Sequence, residues 1–279
     1  MTLGTITHKG FVNTWECDEN DHLNVQFYWR RFGDALQIFQ HLSGQTRHAW
    51  KTRHVRYHSE LRKSATTTVH SASVTENGAI VHQLLGTDGV SLSATAIDTF
   101  EVPVQPGAST LAIMPESARA RSLPEDHILP VDADQKVHSK AGLLTHRSMV
   151  TPKECDEHGF LLDEGHIGRF SDAAGHLWHH LGVSYDWLAD KGLGSVAVEM
   201  AATRHKPVKA GMMVEIVSWV ETVREKTFSF RHQVSDMQTG EPLYSGAVTA
   251  LMMDQTERRA VALPPDFAAR LSELIGESE

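Results

Sequence analysis

Two stretches of the chain carry apolar residues at helical spacing. Tyr28, Phe32, Ala35, Leu36, Phe39 and Leu42 recur with the period of an α-helix, and Gly44 follows them. This predicts a helix with one buried stripe and a glycine C-cap. Ile167, Phe170, Ala173, Ala174, Leu177 and Leu181 repeat the pattern, closed by Gly182. Downstream of each helix the residues change to β-branched and apolar runs. "TTTVHSASV", "IVHQLLGT" and "SLSATAIDTF" read as strands, with Asn77-Gly78 as a hairpin turn. "MMVEIVSWVET", "TFSFRHQVSD" and "PLYSGAVTALMM" echo them, with a turn around Gly240. Short strands at 9–15 and 146–151 lead into the two helices, and "PESARARSL" (115–123) and "PPDFAARLSEL" (264–274) predict a trailing amphipathic helix after each set of strands. One strand, one long helix and an antiparallel run of strands is an α+β order, packed most economically as a sheet wrapped around the helix.

The two patterns are copies. Glu16, Cys17, Asp18, Glu19, Leu23, Arg31, Phe32, Asp34, Ala35, His41 and Gly44 each meet an identical residue 138 positions later, from Glu154 to Gly182, without a gap. An internal repeat of this size marks one structural unit written twice. The expected organisation is an N-terminal unit at 1–125, a linker at 126–139 and a C-terminal unit at 140–279, each of ordinary domain size.

Composition narrows the classes. The 279 residues are 41% hydrophobic and 22% charged, with a formal net charge of −9. The acidic balance argues against nucleic acid as a partner. No run is long and apolar enough to suggest a membrane span. Two cysteines, Cys17 and Cys155, in equivalent places do not make a disulfide framework, and a cytoplasmic location is expected. His176 and His180 stand one helical turn apart in "GHLWHH", but no third ligand is evident, so no metal is expected.

Chemistry concentrates ahead of the first helix. "ECDENDHLNVQFY" places Asp18, Asp21, His22, Asn24 and Tyr28 in a loop and first helical turn, followed by Phe32 and Asp34-Ala35. This arrangement resembles the hotdog-fold acyl-CoA thioesterases of the 4-hydroxybenzoyl-CoA thioesterase type. Asp156, Gly159, Leu161, Phe170 and Asp172-Ala173 match less fully in the second copy. The resemblance implies a double hotdog in which two fused units replace a homodimer. It also implies hydrolysis of an acyl thioester, with CoA as part of the substrate and no separate cofactor. It puts the catalytic carboxylate at Asp18, and at Asp156 by repeat equivalence.

The chemistry can also be argued from the residues. Thioester hydrolysis needs a base or a carboxylate nucleophile, and donors where negative charge gathers on the carbonyl oxygen. Asp18 can be the base, N–H groups at the helix start can be the donors, and His22 and Asn24 can position water or thioester. Glu199 interrupts the apolar run "SVAVEM" and is a further substrate-positioning candidate. The second copy has Phe160 and Leu162 where the first has His22 and Asn24, so its site reads as chemically poorer. An Asp before a helix is often only a cap or turn residue, and that reading is stronger for Asp156. Asp34 and Asp172 read as structural.

The expected partner is an acyl-CoA or acyl-carrier-protein thioester. Exposed sheet edges predict homo-oligomers. A hotdog hydratase or dehydratase, or a non-catalytic acyl-CoA-binding protein, are the alternatives.

Overall fold

The computed structural model describes residues 4–124 and 127–275. The chain divides into two compact units. Unit 1 comprises Met1–Asp126 together with Leu162–Ile167, and unit 2 comprises His127–Leu161 and Gly168–Glu279.

Unit 1 runs β1 (Thr5–Phe11), α1 (Val25–Leu42), β2 (Thr52–Tyr57), β3 (Thr66–Val74), β4 (Ala79–Leu85), β5 (Leu92–Thr99) and the short β6 (Thr110–Leu111). Its main sheet is antiparallel in the order β1-β3-β4-β5-β2. Most of the stripe predicted on α1 is buried: Phe32, Ala35 and Phe39 are wholly inaccessible, Tyr28 and Leu36 nearly so, and Trp29 joins them, while Leu42 in the last turn is half exposed. Phe32 stacks toward His82 of β4, so His82 and its cross-strand neighbour Ser71 face the helix. Ala72, Val74, Ala79 and Val81 make a second apolar cluster, and Met114 and Ala118 of the following segment cover it. That segment is therefore part of unit 1, with β6 running parallel to the end of β3.

Unit 2 begins with α2 (Ala133–His138) and β7 (Leu143–Met149). The long helix α3 (Asp163–His180) and the short α4 (Tyr185–Asp190) follow. Then come β8 (Leu193–Arg204), β9 (Met213–Val223), β10 (Thr227–Asp236), β11 (Pro242–Asp254), β12 (Arg259–Val261) and α5 (Pro265–Glu273). The sheet order β8-β11-β10-β9-β7 matches that of unit 1, with β12 added on β11. Phe267 of α5 is wholly buried against Trp178 and Phe228. Each unit is a hotdog: an antiparallel sheet and one long helix with its apolar stripe buried.

Several expectations need correction. The leading strands lie earlier than predicted, at 5–11 and 143–149, because Asn13 and Thr151 each start a single 3-10 turn with a capping box. Glu16 and Glu154 close those boxes by accepting the N–H of Asn13 (2.8 Å) and of Thr151 (2.9 Å). Residues 115–123 form turns rather than a helix. Met114, Ala118 and Leu123 are buried there, and a helix so short has little stability of its own to oppose that docking. The trailing helix of unit 2 does form, as α5.

A chain of buried polar groups crosses the helix-facing side of each sheet. In unit 1, Thr7 Oγ1 lies 2.6 Å from Ser71 Oγ, which lies 2.7 Å from His82 Nδ1. His82 Nε2 reaches Asp98 at 3.3 Å. The carboxylate of Asp98 accepts two hydrogen bonds from the wholly buried Arg53, at 2.6 and 2.7 Å. Arg53 also donates to Asp163 at 2.6 Å, and Trp50 donates its indole N–H to the same carboxylate. Burial alone would raise the pKa of Asp98, but Arg53 and His82 hold it below the ordinary value. In unit 2, Thr145, Ser218 and His232 repeat the first three groups at 2.6 Å each. There the chain stops, and His232 Nε2 has no hydrogen-bond partner among the described residues.

Candidate active site

Ser71, His82 and Asp98 have the composition of a hydrolytic triad, but all three are fully inaccessible. They are core groups that satisfy one another. The accessible chemistry lies at the loop between β1 and α1.

Asp18 builds a tight turn there. Its Oδ1 accepts the N–H groups of Asn20 (2.9 Å) and His22 (3.0 Å), and its own N–H donates to the His22 carbonyl (2.8 Å). The turn requires a left-handed residue, which is Asp21 at φ 61°. Asp156 builds the same turn in unit 2. Its Oδ1 accepts from His158 and Phe160, both at 2.9 Å, and Gly159 takes the left-handed position at φ 81°. The duplicated aspartate is thus explained in both copies by turn formation through one oxygen. In Asp18 the other oxygen, Oδ2, makes no hydrogen bond among the described residues.

What surrounds the two turns differs. In unit 1, His22 Nε2 lies 3.2 Å from a Glu60 carboxylate oxygen, close enough for charge attraction but outside hydrogen-bond geometry, and both side chains are mostly buried, at 13% and 21% exposure. Leu23 N–H donates to Leu61 O at 2.7 Å, which fixes the Glu60 segment beside the turn. In unit 2, Leu161 N–H donates to Val208 O in the same way, at 2.9 Å. The equivalents of His22 and Glu60 are therefore Phe160 and Pro207. Both polar groups are gone together, and the turn is intact. Glu60 was not foreseen from sequence. Pairing "YHSEL" with "RHKPV" through the repeat would have exposed it, because one writes Glu where the other writes Pro.

Asn24 is the N-cap of α1, accepting the Gln26 N–H at 3.1 Å. Phe27 N–H donates to the Asn24 carbonyl at 3.0 Å. Two of the helix-start donors expected to meet substrate are thus occupied. Tyr28 supports the loop from below: its hydroxyl accepts the Leu61 N–H at 3.2 Å, and its ring meets Tyr57 edge-on. Burial pushes its phenol pKa up, so it stays neutral.

Behind the turn, Glu16 and Arg31 form a buried ion pair at 3.1 Å. Glu154 and Arg169 repeat it at 2.9 Å. Burial opposes the charge on Glu16, but the Asn13 N–H and Arg31 outweigh it and leave the pKa lowered. Asp34 and Asp172 lie 3.8 Å from His8 and His146, another duplicated contact.

Glu199 is buried in β8, in register with Thr249 of β11, and belongs to unit 2. His176 lines an open hollow of unit 2 with His146, Ser171, Asp172, Gly175 and His179, which does not include His180. Among the described residues no group of three or more His, Cys, Asp or Glu is arranged to hold a metal. No helix among them is long and apolar enough to cross a membrane.

With this geometry in place, the comparisons with known proteins are informative. Residues 150–271 match the family described as the thioesterase-like superfamily. The match spans most of unit 2. That match covers less than half of the chain and shows a likeness of unit 2 to the superfamily.

An acyl-ACP thioesterase from Bacteroides thetaiotaomicron shares the fold over 87% of this chain and 96% of its own, with a TM-score of 0.58 at 10% identity. A 1,4-dihydroxy-2-naphthoyl-CoA thioesterase from Synechocystis aligns over 47% of this chain and 96% of its own, with a TM-score of 0.43 and 14% identity. A Staphylococcus aureus protein solved in complex with CoA aligns over 48% of this chain and 84% of its own, with a TM-score of 0.45 and 18% identity. No curated protein matches the chain.

Proposed function

We propose that the protein hydrolyses an acyl thioester to a free acid and a thiol, and that the working site is the Asp18 turn of unit 1. The observation that carries this reading is the internal comparison. The turn, the Glu–Arg pair behind it and the Thr–Ser–His chain are kept in both copies, so the fold needs them. The His22–Glu60 pair is kept in one copy only, so the fold does not need it.

In this reading Asp18 uses Oδ1 to hold the loop and Oδ2 for chemistry. Oδ2 takes a proton from the attacking water, or attacks the carbonyl carbon itself. In the first case the carbon–sulfur bond breaks and Asp18 returns the proton to the departing thiolate. In the second the thiolate leaves as an acyl–Asp18 anhydride forms, and water hydrolyses that anhydride to the free acid, restoring the carboxylate and supplying the thiol's proton. His22, oriented by Glu60, positions the water or the thioester sulfur. Asp156 has the turn but not the neighbours, and its role is structural.

The test is thiol release from a panel of acyl-CoA and acyl-carrier-protein esters. Asp18→Asn keeps the turn acceptor, and its rate should fall by about 100-fold or more. Unchanged hydrolysis in that variant would remove Asp18 from the chemistry. No release from any ester would overturn the thioesterase reading.

A further inference from the structure

Beside the Asp18 turn the surface carries an unusual residue. Trp15 lies in the 3-10 turn that leads into Asp18 and is 77% exposed. The chain has six tryptophans, and the other five are buried or half-buried. An indole left in water forgoes the burial its size offers, so a bare Trp next to a candidate site is informative.

The loop across from it is basic. Arg62 and Lys63 are both exposed. This loop is stitched to the same rim: Ser64 N–H donates to Val12 O at 2.9 Å, and Val12 N–H to Ala65 O at 2.8 Å. His22 and Arg62 form a backbone bridge. Lys63 is committed to Asp21 at 2.8 Å, while Arg62 makes no salt bridge or side-chain hydrogen bond among the described residues. On a chain of net charge −9, an uncommitted guanidinium is a local anion contact. Unit 2 has no such rim: Lys153 replaces Trp15, and Lys209, in the place of Arg62, lies over the Phe160 ring at 5.2 Å.

We infer that this rim binds the nucleotide end of coenzyme A, with Trp15 stacking on the adenine and Arg62 meeting the phosphates. The inference rests on the thioesterase reading and deepens it by naming the carrier. An indole face suits a purine of any orientation, and a guanidinium suits phosphate oxygens. A carrier protein's pantetheine arm brings one phosphate and no purine, and would leave Trp15 idle.

The experiment compares one acyl group on CoA and on pantetheine, in the full chain and in Trp15→Ala, Trp15→Phe and Arg62→Ala. Trp15→Ala should raise KM for acyl-CoA on the order of tenfold, with kcat unchanged. It should leave acyl-pantetheine kinetics as they were, and Trp15→Phe should restore most of the loss. Arg62→Ala should raise KM for acyl-CoA alone, with a weaker dependence on salt. Adenosine 3′,5′-bisphosphate should quench the fluorescence of the wild type and not of Trp15→Ala.

Equal effects of Trp15→Ala on both substrates, or none on either, would overturn the inference. So would wild-type hydrolysis that favours acyl-carrier protein and ignores Trp15. The two readings fail separately. Absent hydrolysis with Trp15-dependent quenching intact sinks the function and keeps the rim. Hydrolysis indifferent to Trp15, without quenching, does the reverse.

Discussion

Asp18 and Asp156 show how one residue type holds two jobs that sequence cannot separate. Both carboxylates accept two backbone N–H groups, so both are structurally required, and identity between the copies says nothing about catalysis. Asp156→Ala should cost about 1–3 kcal/mol by stranding those donors, whereas Asp156→Asn keeps an acceptor and should cost far less. Denaturant midpoints of the two variants check this, and neither should slow thiol release. His232 is a second residue-scale case. Burial lowers its pKa to about 3, against about 6.5 in an unfolded chain. The folded imidazole stays neutral where the unfolded one is protonated. Its contribution to stability is therefore complete above about pH 6.5 and is lost as pH falls toward 3, at up to ~1.4 kcal/mol per pH unit. In His232→Leu the fall of melting temperature between pH 7 and pH 4 should be shallower than in the wild type. A matching slope would mean another group dominates. The sequence could point to Asp18 and His22 because they are adjacent. Glu60 joins them only across strand pairing, a distance that residue spacing does not report.

Elements differ in how plainly their sequence declares them. α1, α3, β3, β4, β5, β9, β10 and β11 were legible from periodicity, whereas β8 was not assigned. β2 was not, because Arg53, His54 and Arg56 break its apolar pattern. Those charges are tolerated because the fold supplies partners: Arg53 faces Asp98 in the β2–β5 register. At the equivalent place in the β8–β11 register, unit 2 pairs Met200 with Val248. The protein thus contains both solutions to one packing problem, one ionic and one apolar. Arg53→Met alone should destabilise by about 3–5 kcal/mol, since it leaves Asp98 and Asp163 buried and uncompensated. Changing Arg53→Met, Asp98→Val and Asp163→Val together should recover most of that loss, because a well-packed apolar set often equals a buried ion pair. Urea unfolding of the single and triple variants decides it. Equal loss in both would show that the ionic set has a role the apolar set cannot fill.

For the whole molecule, the repeat was the legible fact. Matching residues 138 positions apart announced two units before any strand was assigned, and the strand order repeats accordingly. The outermost strands β1 and β7 expose Ile6 and Phe11, and Leu144 and Met149, at equivalent positions. Lys9 and Arg147 stand exposed between them, and a mid-strand charge discourages edge-to-edge pairing. Lys9→Val should therefore increase concentration-dependent self-association in sedimentation velocity. An unchanged profile would assign any oligomer to another surface. One boundary escaped the sequence: Leu162–Ile167 open α3 but belong to unit 1, where Asp163 answers Arg53. Unit 1 is therefore discontinuous along the chain, and no single cut can release both units whole. A gene split after residue 139 would strand a buried guanidinium in the first fragment. The duplication that created this protein has become, at that one carboxylate, a fusion that cannot be undone by fission.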